Sequence, residues 1–232
     1  MTTGGASAAD PRVATALLRN DRYLREFVEA WNLCPWARFC REGGKLHRRV
    51  LLAAGGAPGS PEFVSAAHEV DAAIAAVEAL PPETVEVGLL ILPALAPALA
   101  LGPEGSLRFE QLCTAVRAAT DARHAQREPP FFCVPFHPDF PEDLATPARA
   151  VRFLRRSPDP TLQLVRRSLL REVRGRSPDT LVVDPAKLTD AELARLEVPE
   201  SVSDRIARGG LETLRREGAE KARAMLDELR RR

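Results

Sequence analysis

Apolar residues recur at three- and four-residue steps from Val13 through Leu17, Leu18, Leu24, Phe27 and Val28 to Trp31, the period of a helix that buries one face. Asp10-Pro11 supplies the start, an acceptor for free N–H groups followed by a proline whose missing donor costs nothing in the first turn. Asn20-Asp21 is a point where this helix could divide. Pro35 disfavours helix at the residue before it, so the spacing predicts an end near Asn32 and places Cys34 in a turn. Leu46, Val50, Leu51 and Leu52 mark a first strand within Lys45 to Ala53. Ser60-Pro61-Glu62 then reads as a second helix start, with Val64, Ala67, Val70, Ile74 and Val77 facing inward and Pro81-Pro82 as the stop.

Thr84 to Leu92 is a continuous strand, apolar at its end, of the kind expected for a central strand covered on both faces. A helix from about Ser106 to His124 is expected to turn Leu107, Phe109, Leu112, Cys113 and Val116 inward, and Phe131 to Phe136 forms the next strand. Beyond it the pattern predicts a helix over Pro158 to Glu172, built on Leu162, Leu164, Val165, Leu169 and Leu170. A short edge strand at Leu181 to Val183 and a helical tail from Ser203, its last turns mostly solvated, complete the chain.

Strands alternating with helices argue for an α/β domain with a mostly parallel or mixed sheet of about three to five strands, flanked by helices and by the N-terminal packing helix. A ferredoxin-like α+β arrangement is the competitor. The expected organisation is a disordered leader over 1–9, the α/β domain over 10–200, and a C-terminal helix over 201–232 whose start packs on the domain. A chain of 232 residues with 45% hydrophobic content can bury a real core.

Thirty-three basic residues against thirty-two acidic ones give a net charge of +1, so no global field recruits nucleic acid or an acidic membrane. The longest apolar run, Gly88 to Leu101, is broken by Pro93 and Pro97 and is too short to span a bilayer. The first residues lack the charge and hydropathy of a signal peptide. These features place the protein in the cytoplasm, and its four cysteines (Cys34, Cys40, Cys113 and Cys133) read as reduced thiols.

Three proline-fixed segments carry the candidate chemistry. His137 and Asp139 follow the strand ending at Phe136, beyond a strand carboxyl end where ligands of parallel sheets gather. Pro135 and Pro138 restrict the backbone on either side of the imidazole. His137 could act as a base oriented by Asp139; the alternative has Asp139 capping a turn and His137 packed against a carbonyl. Cys34, between Asn32 and Trp36, is the candidate nucleophile or redox thiol if His137 or Arg156 comes close enough to favour the thiolate. As a small buried apolar residue it would do nothing chemical. Arg156 and Ser157, with Thr161 and a helix start at Pro158, have the parts of an anion site. Alternatively Ser157 only caps, and Arg155 and Arg156 pair with Glu142 or Asp143. Cys34, His137 and Asp139, with Cys133 or His47, could also ligate zinc or iron, although no two stand at a diagnostic spacing.

Asn32-Leu33-Cys34-Pro35-Trp36-Ala37, Phe136-His137-Pro138-Asp139-Phe140 and Arg156-Ser157-Pro158-Asp159-Pro160-Thr161-Leu162 together resemble an uncharacterised bacterial family, domain of unknown function 1415. That family's motifs are N-L-C-P-F-A, F-H-P-D-Y and N-R-S-P-Y-P-T-L-H-L-L-R-E. The resemblance runs from about Asp21 to about Gly218, with Ile206 to Leu214 similar to a closing helix. Arg155 stands in place of asparagine, Asp159 in place of an aromatic, Gln163 in place of histidine, and Gly209 or Gly210 in place of asparagine. The resemblance implies no activity, cofactor or substrate, but it groups Cys34, His137, Asp139 and Arg156.

The functional expectation is an enzyme acting on a small anionic metabolite, with Cys34, His137 and Asp139 as its chemistry. Asn32, Trp36, Arg156, Ser157 and Thr161 would form its binding contacts. A non-catalytic metabolite- or partner-binding protein and a metal-dependent enzyme are the two alternatives.

Overall fold

The structure, a computed structural model, describes residues 10–34, 36–53, 55–93, 103–170 and 202–231. The expected leader and the expected strand at Leu181 to Val183 lie outside the described residues.

Asp10 caps α1 (Pro11–Arg22), its carboxylate accepting from the Arg12 N–H at 2.8 Å. The chain does not break at Asn20-Asp21. It continues into a π-helical segment, Tyr23–Glu29, and stops at Asn32, whose φ of 51° lies in the left-handed region that asparagine tolerates. A short α2 (Ala37–Glu42) leads to β1 (Leu46–Val50). Ser60 caps α3 (Pro61–Glu78) through a bond from the Phe63 N–H at 3.2 Å. β2 (Val87–Ile91), α4 (Pro103–Arg123) and β3 (Phe131–Phe136) follow.

The next two elements correct the sequence reading. Thr146-Pro147 starts α5 (Pro147–Leu154), the Thr146 hydroxyl accepting from the Arg149 N–H; this is the same signal as Ser60-Pro61, and the sequence reading passed over it. The helix expected from Pro158 is instead a strand, β4 (Thr161–Arg166), with a helical turn beginning only at 167–170. Ser157 does not cap a helix: its hydroxyl donates to the Asp159 carbonyl at 2.6 Å, and the Thr161 hydroxyl donates to the same oxygen at 2.9 Å. The tail is two helices, α6 (Val202–Glu217) and α7 (Ala219–Arg231), separated at Gly218 with φ 94°.

The sheet order is β1-β2-β4-β3, a mixed α/β sheet in which β1 and β2 are parallel and β4 runs antiparallel between β2 and β3. One face carries Leu90, Leu92, Phe131, Leu162 and Leu164 and is covered by α3 and α4 through Val70, Ile74, Phe109 and Val116. Leu107 and Val64 do not join this core and are exposed. Leu107 is two residues from Phe109, about 200° around the helix and hence off the buried stripe.

The other face carries Val50, Val87, Leu89 and Ile91. It is covered by the N-terminal helix through Ala16, Tyr23, Leu24, Phe27 and Val28, and by Leu226 and Leu229 of α7. Leu18 is exposed. The expected solvated end of the tail therefore has a buried side.

Candidate functional site

Strand register determines what the second sheet face presents. Side chains alternate across a strand, so paired residues form rows: Ile91, Thr161 and Phe136; then Leu89, Gln163 and Val134; then Val87, Val165 and Phe132. The β1–β2 half lies under the N-terminal helix and α7, whereas a cavity of about 490 Å³ opens over β3 and β4. Asn20, Tyr23 and Leu24 wall it from the N-terminal helix, Cys34 and Trp36 from the turn before α2, Val151 and Arg155 from α5, and Ile206 from α6.

The cavity collects part of the expected site. Cys34, Trp36, Ser157 and Thr161 line it, together with Gln163 and Arg155; His137, Asp139, Asn32 and Arg156 do not. Cys34 and Asn32 do share a separate surface hollow with Glu29 and Arg38. Burial raises the Cys34 pKa, and N–H groups of Trp36 and Ala37 act weakly the other way, so Cys34 rests as a neutral thiol.

His137 continues the β3 residues that face α4. Its ring lies 5.6 Å from Phe109 and 5.8 Å from Phe140, on the opposite side of the sheet from Cys34. Its Nδ1 accepts the Asp139 backbone N–H at 3.1 Å, and its own backbone N–H donates to the Arg155 carbonyl at 3.1 Å. Desolvation pulls its pKa down to about 4, the Asp139 charge opposing this and Arg230 adding to it. The imidazole is therefore neutral at pH 7. Asp139's carboxylate accepts from Arg230 of α7, at 3.0 and 3.4 Å.

Arg156 has no helix N-terminus beside it. Its Nε donates to the Phe140 carbonyl at 2.7 Å, its guanidinium stacks 4.7 Å from the Phe153 ring, and Glu142 stands 3.8 Å away. These contacts hold the turn after β3 against α5. Arg155, by contrast, lines the cavity with no side-chain hydrogen bond or ion pair to any described residue, and burial alone lowers its pKa. Its backbone is fixed from two sides, by the Val151 carbonyl and by the His137 N–H.

Asn20 is 5% exposed, and its Oδ1 has no hydrogen-bond partner among the described residues. Sequence reasoning missed Asn20, because a lone asparagine inside a helix carries no positional signal. Gln163 entered it only as a departure from the family motif, and Arg155 as that and as a possible partner of Glu142 or Asp143. Asp159 is held by Arg19 at 2.8 and 3.1 Å and does not reach the cavity.

Among the described residues no group of three His, Cys, Asp or Glu side chains could hold a metal ion. Cys34 and His137, on opposite sheet faces, do not form a ligand set. No helix among the described residues is long and apolar enough to cross a membrane.

A family model described as "Protein of unknown function (DUF1415)" matches residues 16–189. The match stops short of Ile206 to Leu214, which the motif resemblance had included. No curated protein and no solved structure matches.

Proposed function

Because the chain belongs to the DUF1415 family, whose description gives no function, we propose its role from the cavity: it binds a small anionic molecule there, anchored on Arg155. The observation that carries this reading is a half-buried guanidinium at the wall of a 490 Å³ cavity with no acid partner among the described residues. A cation removed from water without a counter-charge is costly, and a ligand carboxylate or phosphate supplies that charge through the planar fork of the guanidinium. Gln163, in the middle of the three rows, adds an amide that can donate or accept.

Binding without covalent chemistry is favoured over thiol catalysis, since Cys34 rests protonated and His137 is on the other face of the sheet. The Trp36 and Ala37 N–H groups beside Cys34 favour a thiolate, but less than burial opposes it.

Thermal denaturation of the wild type, Arg155→Met and Arg156→Met with a panel of carboxylates and with inorganic phosphate tests the reading. We expect at least one anion to raise the wild-type midpoint, with that shift lost in Arg155→Met and kept in Arg156→Met. A shift that survives Arg155→Met overturns the anchor. Iodoacetamide labelling of Cys34 at pH 7 is expected to be slow; fast labelling returns the thiol-enzyme reading to first place.

A further inference from the structure

The rows that make the cavity floor are graded along β4. At the Thr161 end lie Arg155, Ser157 and Thr161, and Asn20 reaches the cavity beside Arg19, whose guanidinium is clamped on Asp159. Gln163 is in the middle. Beyond it the floor is Val165, Phe132 and Val87, with Leu46 at the margin, until the Arg167–Glu128 pair at 2.9 Å closes the far end. From Thr161 to Arg167 is six residue steps, roughly 20 Å at strand rise. A polar ligand body laid over Val165 and Phe132 would give up its hydrogen bonds to water with nothing in return, whereas an apolar body gains by leaving water.

At the charged end, the Ser157 and Thr161 hydroxyl hydrogens are already committed to the Asp159 carbonyl, while the Asn20 Oδ1 acceptor is buried and unmet among the described residues. A group that donates a hydrogen is what that oxygen lacks.

Resting on the anion-binding reading above, we infer that the cavity takes an amphipathic acid. Its anionic head meets Arg155, a hydroxyl or amine next to the head donates to Asn20 Oδ1, and its apolar body lies along the β3–β4 face toward Val165. The reverse orientation, with the head at Arg167, has one feature in its favour, an Arg167 Nε without a hydrogen-bond partner among the described residues. Against it, that guanidinium already holds Glu128 and stacks over Phe132 at 5.6 Å.

Titration calorimetry of the full chain with acetate, octanoate, 2-hydroxyoctanoate and octanol tests this. Octanoate is expected to bind at least tenfold tighter than acetate or octanol, and 2-hydroxyoctanoate tighter still, with the hydroxyl advantage lost in Asn20→Leu. Val165→Phe, an apolar swap at a half-buried strand position, fills the body end and should weaken octanoate at least tenfold while leaving acetate alone. Phe132→Trp, on the strand position paired with Val165, makes the same test if Val165→Phe does not fold. Arg155→Met should abolish acid binding, and Arg167→Met should not. Equal binding of acetate and octanoate, lost together in Arg155→Met, sinks the amphipathic assignment and leaves the anion site standing. Octanoate binding that depends on Arg167 overturns the orientation, and the absence of any Arg155-dependent acid binding removes the underlying reading as well.

Discussion

His137 illustrates how burial can make a residue important without making it chemical. The ring is 2% exposed, wedged between Phe109 and Phe140, with Nδ1 used as an acceptor by the turn that follows it. Its pKa falls from 6.5 to about 4 because a charged imidazole would lose its hydration. Between those values the unfolded chain takes up a proton that the folded chain refuses, so stability rises with pH through this window. The contribution is complete above pH 6.5 and is lost as pH falls toward 4. For a shift of this size it is on the order of 3 kcal/mol. His137→Asn, which keeps an acceptor for the Asp139 N–H, is expected to flatten the pH dependence of the urea midpoint between pH 6.5 and 4 relative to the wild type. An unchanged slope would mean that other groups carry the acid sensitivity.

At the scale of elements, the turn into β4 is the decisive piece. Pro158 and Pro160 suit the first turn of a helix as well as the lead-in to a strand, and Leu162, Leu164, Val165 and Leu169 fit a helical stripe as well as they fit a strand. What separates the two is pairing: Leu162 and Leu164 pack into the α3–α4 core while Thr161, Gln163 and Val165 face the cavity. Arg19 of α1 reaches across to this turn and grips Asp159 with two bonds, yet desolvation still raises the Asp159 pKa against the pull of Arg19. The pair therefore fixes geometry more than it adds stability. Arg19→Leu alone should destabilise the protein by about 3 kcal/mol by stranding a buried carboxylate, and adding Asp159→Leu should recover much of that loss. A double variant that stays as destabilised as Arg19→Leu, measured by urea denaturation, would show that the ion pair is itself stabilising.

Across the whole molecule, two cores lie on the two faces of one sheet, and α7 joins the second of them from the end of the chain. Leu229 is 1% exposed, whereas Arg230 is a partly solvated partner of Asp139 and Arg223 a partly solvated partner of Glu142. Truncating a buried leucine removes apolar contact and leaves a cavity, costing about 2–5 kcal/mol; loosening a partly exposed ion pair costs about 0–1 kcal/mol. Leu229→Ala is therefore expected to lower the urea midpoint at least twice as far as Arg230→Ala. The reverse ranking would make the Asp139–Arg230 contact, and not the apolar face, the attachment of α7.

The sequence by itself determined the elements whose signals are local. Asp10-Pro11 and Ser60-Pro61 start helices where expected, the φ-permissive Asn32 ends the first helix, and Phe131 to Phe136 is a strand with the expected bounds. It also brought Cys34, Trp36, Ser157 and Thr161 into view, and these share one cavity. Only the tertiary structure decided that Thr161 to Arg166 is an inner strand of the sheet, because a short apolar run becomes a strand when neighbouring strands satisfy its backbone. The same long-range step sent His137 to one face and Cys34 to the other. The parity of β3 then put Phe136 on the cavity side and the next residue on the α4 side, a consequence of register that no spacing along the chain reveals. Arg155 and Arg156 are adjacent in sequence, yet one faces the cavity without a side-chain partner among the described residues and the other is bound to the Phe140 carbonyl, because the way α5 packs against the turn after β3 differs for successive residues.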